Sequence, residues 1–150
     1  MPTATPFLPL MLGLAGLIPF VATATAAWLA PVVWQVVAVD AFLYYSAVIL
    51  SFLGGVQWGV AMSQQPAGSP AFRLRLLLSM APSLIAWPAL LLHPLTGAWV
   101  LAGGFILVRL YELTRSSRAI LPVWYHTLRM PLTLTVLACH GLLIARLWGY

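Results

Sequence analysis

Long apolar segments dominate this sequence and restrict it to one class of fold. Five of them follow one another with short connections, and the first two contain no charged residue. An α-helix needs about 20 mostly apolar residues to cross a hydrocarbon core of roughly 30 Å. Strands of a membrane β-barrel would instead alternate apolar and polar residues, which these segments do not do. We therefore predict an all-α, polytopic integral membrane bundle with five transmembrane helices, at about residues 7–30, 41–62, 74–92, 95–113 and 130–148.

The composition excludes the other common classes of protein. Hydrophobic residues make up 63% of the chain and charged residues only 6%, whereas a soluble domain carries roughly 25% charged residues. A folded domain of this size buries only about 70% of the surface that its unfolded chain exposes, so this much apolar surface cannot be hidden from water. The single cysteine, Cys139, cannot form a disulfide within the chain. We expect one transmembrane domain over residues 1–150, surrounded by lipid.

The arginines predict the orientation of the bundle. Five crossings would place the N-terminus, the second connection and the fourth connection on the same side. Only Arg146 lies on the other side, and arginines are enriched on the cytoplasmic side of membrane proteins. This predicts a multi-pass protein of the bacterial inner membrane with its N-terminus inside and its C-terminus outside. It also accounts for the pI of about 10.2 without a nucleic-acid partner. The arginines on the predicted inner side are Arg73, Arg75, Arg115, Arg118 and Arg129.

Small residues recur every four positions along the second helix, at Ala47, Ser51, Gly55 and Gly59. Residues four apart lie on one face of a helix. Small side chains allow two membrane helices to approach closely, which supplies much of their packing energy. We predict that this face packs against another helix of the same bundle. A homodimer or another transmembrane subunit is the alternative partner.

Polar residues from three helices fall at a similar depth near the predicted inner face. Ionisable groups close to hydrocarbon are costly and are usually paired, and they often mark a functional site. One interpretation is a pocket for a lipid headgroup, a quinone or an acidic loop of a partner. The other, which we favour, is an ion-pair network that anchors the helix ends. The candidate ligand- or partner-binding residues are Gln57, Trp58, Arg109, Glu112, Tyr125, His126 and Arg129.

Nothing in the sequence indicates catalysis, a metal or another cofactor. The three histidines fall at different depths, so no two of them could bracket one iron. The two acidic residues, Asp40 and Glu112, are predicted at opposite membrane faces and cannot form an acid–base pair. His140, near mid-membrane, is expected to form an interhelical hydrogen bond. Ion or proton transport through His140 is the least favoured of the possible functions.

Two segments resemble the signatures of a known family. The first is Ala-Val-Ile-Leu-Ser-Phe-Leu-Gly-Gly-Val-Gln-Trp-Gly at residues 47–59, and the second is Leu-Pro-Val-Trp-Tyr at residues 121–125, followed by Leu128-Arg129 and Pro131-Leu132-Thr133. They resemble a small uncharacterised family of bacterial inner-membrane proteins, whose domain of unknown function is shared with a mitochondrial transmembrane protein. The resemblance implies five helices in an energy-transducing membrane and no particular activity. Family members usually have histidine at the position of Gln57.

The sequence contains no recognisable catalytic or metal-binding motif, and it offers many surfaces for contact between helices. Together these two features predict an accessory role. We expect a structural or assembly protein that docks on a larger membrane complex, such as a respiratory or photosynthetic one. The alternative is a binder or carrier of a small amphipathic ligand, such as a quinone or a lipid, at the polar residues near the inner face. Other transmembrane subunits or a second copy are therefore the expected partners, in addition to the bilayer.

Overall fold

The computed structural model describes residues 6–149, which form six helices and no strand. Four of the helices, α1, α2, α4 and α6, are long and apolar enough to cross a membrane. The third, α3, is not among these four, because Arg73 and Arg75 lie within it and lower its mean hydropathy. The helices are α1 (Phe7–Leu29), α2 (Val32–Gln64), α3 (Pro70–Ala89), α4 (Pro94–Glu112), α5 (Arg115–Arg118) and α6 (Val123–Trp148).

Proline marks the start of most helices, since its fixed φ suits the first turn and it lacks an amide hydrogen that would need a partner there. Pro31 directly precedes α2 and Pro122 directly precedes α6. At α3, the hydroxyl of Ser69 accepts a hydrogen bond of 3.1 Å from the amide of Phe72, and Pro70 follows as the first helical residue.

Two predicted boundaries are wrong. The connection expected at residues 31–40 is helical, because α2 begins at Val32 rather than at residue 41. Likewise α6 begins at Val123 rather than at residue 130. The predicted segments begin directly after a charged residue, Asp40 or Arg129, whereas each helix extends back through that residue to the proline that precedes it, Pro31 or Pro122.

The second and fourth helices each pack against three of the other long helices. Helix α2 packs against α1, α3 and α4, while α6 packs against α1 and α4, and α3 against α4. Aromatic rings fill the middle of the core. The rings of Phe20 and Phe42 meet edge to face with their centroids 5.5 Å apart, and the ring of Phe105 lies 6.1 Å from that of Phe20.

The closest contact between α2 and α3 involves Gly54. A Cβ atom at this position would lie 2.4 Å from the carbonyl oxygen of Ser79, so only glycine permits this helix spacing. The two glycines of the small-residue face make no such contact with another helix. Gly55 and Gly59 are exposed, and a Cβ atom on either would meet nothing within 4 Å. The favoured prediction, that this face packs within the bundle, is therefore wrong for Gly55 and Gly59, although Ala47 is buried and Ser51 is half-buried.

Polar contacts join three helices at the end of the bundle where α1 ends and α2 begins. The Arg146 side chain of α6 donates from Nε to the carbonyl of Ala27 at 3.1 Å and from Nη2 to Oε1 of Gln35 at 2.6 Å. The side-chain amide of Gln35 in turn donates to the carbonyl of Ala30 at 2.9 Å. These bonds satisfy carbonyl groups that the last turn of α1 leaves without a helical partner.

Candidate functional site

A buried carboxylate accepts several hydrogen bonds at the opposite end of the bundle, where α4 ends and α6 begins. Glu112 is fully buried. Its Oε1 accepts a hydrogen bond of 2.8 Å from the hydroxyl of Tyr125, and its Oε2 accepts one of 3.0 Å from Nε of Arg129. Arg109, one turn earlier on α4, donates to the same Oε2 at 3.3 Å. We call Arg109, Glu112, Tyr125, His126 and Arg129 the Glu112 cluster.

Arg109 also connects the cluster to His126. Its Nη2 donates to the carbonyl oxygen of His126 at 3.4 Å, and its Nη1 lies 3.4 Å from the ring nitrogen Nδ1. The cluster therefore contains two guanidinium groups and one carboxylate, which leaves an excess of one positive charge. The structure thus brings together five of the seven residues predicted to form a polar site.

The other two predicted residues lie elsewhere. Trp58 is 42% exposed and has no part in the cluster. Gln57 is buried, but its Oε1 accepts a hydrogen bond of 2.6 Å from Nη1 of Arg75. Arg75 also donates to the hydroxyl of Ser117, at 3.3 Å from both Nη1 and Nη2, and its guanidinium lies 5.2 Å from the centroid of the Tyr111 ring. We call Gln57, Arg75 and Ser117 the Arg75 site.

Sequence reasoning missed Arg75 as a site residue and counted it only as a charge that sets the orientation. Its position gave a signal, because Arg75 lies inside the third apolar segment, whereas Arg73 precedes that segment. The structure agrees with this distinction, since Arg73 is exposed and Arg75 is only 2% exposed.

A largely apolar cavity of about 350 Å³ lies beside the Glu112 cluster. Its walls come from α1, α2 and α6, with Phe105 of α4, and we call it the α1–α2–α6 cavity. Arg129 and Thr133 of α6 supply polar groups to its lining. Both side chains are more than 90% buried, yet Nη2 of Arg129 and Oγ1 of Thr133 have no hydrogen-bond partner.

A second cavity of about 220 Å³ lies between α2, α3 and α4. We call it the α2–α3–α4 cavity. Gln57 and Tyr111 line it, together with apolar residues that include Leu78 and Leu107. Nε2 of Gln57 has no hydrogen-bond partner, although the side chain is 2% exposed.

His140 has no hydrogen-bond partner on another helix among the described residues. His140 is fully buried, and its Nδ1 donates to the carbonyl of Val136 on the same helix at 2.8 Å. The rings of Phe42 and Phe105 lie 4.8 and 5.4 Å from its own. The expected interhelical hydrogen bond is therefore replaced by an intrahelical one. Within residues 6–149, no three His, Cys, Asp or Glu side chains lie close enough together to hold a metal ion.

Long apolar helices around a core of aromatic rings, with buried arginines at one end, define an α-helical membrane protein. A family of proteins of unknown function, DUF3429, matches residues 5–145, and the chain belongs to this family. This confirms the family that the two sequence signatures indicated.

Two curated relatives are also similar to the chain. Transmembrane protein 69 of Xenopus tropicalis is 39% identical over 133 residues, which cover 83% of this chain and 48% of the relative. Transmembrane protein 69 of Mus musculus is 37% identical over 84 residues, which cover 55% of this chain and 33% of the relative. The chain thus spans half or less of the length of these relatives. No solved structure matches the chain significantly.

Proposed function

We propose that the protein binds a small amphipathic ligand in the α1–α2–α6 cavity. The apolar part of the ligand would occupy the cavity, and an oxygen of its polar head would accept a hydrogen bond from Arg129. The observation that carries this proposal is that Arg129 and Thr133, which line a largely apolar cavity, each have a buried polar atom without a hydrogen-bond partner, Nη2 and Oγ1.

The energetics favour an occupant with an acceptor group. A buried donor left without a partner costs about 1–3 kcal/mol, and more if it is charged. Glu112 binds Arg129 through Nε and thereby holds the guanidinium in place, which leaves Nη2 available for a ligand. The cavity volume falls within the range of about 300–1,000 Å³ typical of small-molecule sites. A quinone carbonyl and a lipid headgroup oxygen share the required chemistry.

The cavity is accessible from the bilayer. Leu12 of α1 and Phe52 of α2 line it, and both side chains are 64% exposed on the outer surface of the bundle. A ligand dissolved in the membrane can therefore enter sideways without first crossing into water.

Binding of decylubiquinone and of lysophosphatidylglycerol to the protein in nanodiscs tests the proposal and separates the two ligand types. We expect saturable binding of at least one of them. Gly16→Phe should abolish it, because Gly16 lines the cavity and a phenyl ring there would fill it. Thr133→Val, which keeps the side-chain shape, should weaken binding, whereas Arg118→Gln, which removes an exposed charge, should not.

Two results would overturn the proposal. One is that neither ligand binds saturably, and the other is that Gly16→Phe binds as well as the wild type. The thermal stability of Gly16→Phe, measured alongside, shows whether the variant is folded, and Thr133→Val provides an independent test if it is not.

We also propose that α3 crosses the membrane as a fifth span, with the N-terminus inside, in the bacterial inner membrane. In support, its two ends contact opposite ends of the bundle: Arg75 bonds to Ser117, while Gly97 near the start of α4 packs closely on the carbonyl of Ala89. In a Cys139→Ser background, Ser63→Cys and Ser116→Cys should be labelled from the cytoplasmic side. His93→Cys should be labelled from the other side, and labelling of Ser63→Cys and His93→Cys from the same side would refute the fifth span.

An accessory role is the second candidate function. The exposed glycines of α2, Gly55 and Gly59, leave a face on which another transmembrane helix can approach closely. If a partner subunit or a second copy docks there, Gly55→Leu should dissociate the complex on native gels after gentle solubilisation. Gly141→Leu, at an exposed glycine of α6 with open space around it, is the matched control. Migration of the wild type only as a free monomer would count against this role.

A further inference from the structure

Arg75 is a buried cation that forms no ion pair with a carboxylate within residues 6–149. The whole sequence contains only two acidic side chains. Glu112 is engaged by Arg109, Arg129 and Tyr125. Asp40 precedes Gln57 by 17 residues on α2, about 25 Å along the helix axis at 1.5 Å per residue. The described hydrogen bonds of Arg75 all go to neutral groups, Gln57 and Ser117.

The polar atoms left over at this site are all donors. Nε of Arg75 and Nε2 of Gln57 are buried without hydrogen-bond partners. The amide orientation of Gln57 is fixed, because its oxygen must face Arg75 to accept the bond of 2.6 Å. The NH₂ group of Gln57 must then point the other way, where none of the described residues accepts a hydrogen bond from it. An isolated buried charge is costly unless it is paired. The occupant that satisfies both the charge and the donors is therefore an anion.

We propose that the Arg75 site binds an oxyanion, a phosphate or a carboxylate, from the α2–α3–α4 cavity. Gln57 and Tyr111 connect the two features, since both line the cavity and both contact Arg75. An anionic oxygen in the cavity accepts a hydrogen bond from Nε2 of Gln57 and lies in the field of the guanidinium that contacts the same amide.

The rest of the cavity suits an anion that carries an alkyl chain. Apart from Gln57 and Tyr111, its lining is apolar. Leu78 and Leu107 are 40% and 57% exposed, so the cavity opens onto the outer surface of α3 and α4. An anionic membrane lipid can present its headgroup oxygen to the site and place a chain along this opening, while a free inorganic anion would use only the polar end.

The substitution Gln57→Glu provides the sharpest test, because it introduces a carboxylate where the amide oxygen now meets Arg75. The new carboxylate should form an ion pair with the guanidinium of Arg75, so that no external anion is needed to balance its charge. The protein is purified in neutral detergent, and its melting temperature is measured with dioleoylphosphatidylglycerol, with dioleoylphosphatidylcholine and with sodium phosphate. Arg73→Gln, which removes an exposed charge from the same helix, is the matched control.

We expect phosphatidylglycerol to stabilise the wild type and Arg73→Gln more than phosphatidylcholine does. In Gln57→Glu the melting temperature without lipid should rise, and the apparent affinity for phosphatidylglycerol should fall by roughly tenfold to a hundredfold, as for the loss of a hydrogen bond to a charged group. Stabilisation by sodium phosphate alone would identify the ligand as a free anion rather than a lipid.

The proposal is overturned if neither anion stabilises the wild type beyond phosphatidylcholine. It is also overturned if Gln57→Glu and the wild type respond equally to phosphatidylglycerol. Arg75→Gln keeps the test decisive should Gln57→Glu fail to fold, because it removes the charge and should also abolish the preference for an anion.

Discussion

Two adjacent glycines in α2 allow the helix contact to be tested by a single added methyl group. Gly54 faces α3, and a Cβ atom there would lie 2.4 Å from the carbonyl oxygen of Ser79 and 3.3 Å from the ring of Pro82. Gly55 faces away from the bundle, and its Cβ atom would meet nothing within 4 Å. Gly54→Ala and Gly55→Ala thus make the same chemical change one residue apart.

The expected difference in stability follows from the geometry. Ordinary contact begins at 3.4 Å, so α2 and α3 must separate locally by about 1 Å to accept Gly54→Ala. The carbonyl oxygen of Ser79 cannot rotate away, because it belongs to the backbone of α3. Overpacking of this kind costs about 1–3 kcal/mol. Alanine gains up to about 1 kcal/mol of helix propensity over glycine, but this gain is common to both variants and cancels in their comparison.

Unfolding in mixed micelles, followed by circular dichroism, measures this difference. We expect Gly54→Ala to be less stable than Gly55→Ala by about 1–3 kcal/mol, with Gly55→Ala equal to the wild type or slightly more stable. Equal stability of the two alanine variants would refute the close approach of α2 and α3 at Gly54.

The remaining predictions concern the polar groups at the two ends of the bundle. Glu112→Gln should destabilise the protein by about 3–5 kcal/mol, because it leaves two buried guanidinium groups without a counter-ion. Tyr125→Phe removes one hydrogen bond to the same carboxylate and should cost about 1.5–3 kcal/mol; a larger loss for Tyr125→Phe than for Glu112→Gln in the same unfolding assay would contradict the central place of the carboxylate. At the opposite end, a double-mutant cycle of Gln35→Leu and Arg146→Met should give a coupling energy of about 0.5–2 kcal/mol, and strictly additive effects would show that their bond of 2.6 Å contributes nothing.

The level of a residue along the bundle axis could be predicted from the sequence, but its position around each helix could not. Counting residues along apolar segments placed Arg109, Glu112 and Arg129 at one level, and the structure brings them together. The same counting placed Gln57 at that level, yet Gln57 meets Arg75 instead. Residues at one depth form a ring around the bundle, and only the packing of the helices decides which of them meet.

The small residues of α2 also show that the sequence does not reveal which face of a membrane helix is buried. In water, the polar face of a helix reveals which side is buried, but α2 is apolar on all sides because lipid surrounds the bundle. A spacing of four residues therefore singled out Gly55 and Gly59, while the glycine that touches a neighbouring helix is Gly54. The two cavities could not be predicted from the sequence either, because a cavity depends on how closely the surrounding helices pack.

The length of α2 has a consequence for its depth in the bilayer. Its 33 residues extend about 50 Å, whereas a helix at the average tilt of about 20° needs only about 32 Å to cross the hydrocarbon core. Roughly 18 Å of helix must therefore lie among headgroups, about six residues at each end if α2 is centred. Gln57, seven residues before the end of the helix, would then sit within one residue of the glycerol level, where the ester and phosphate oxygens of a lipid begin.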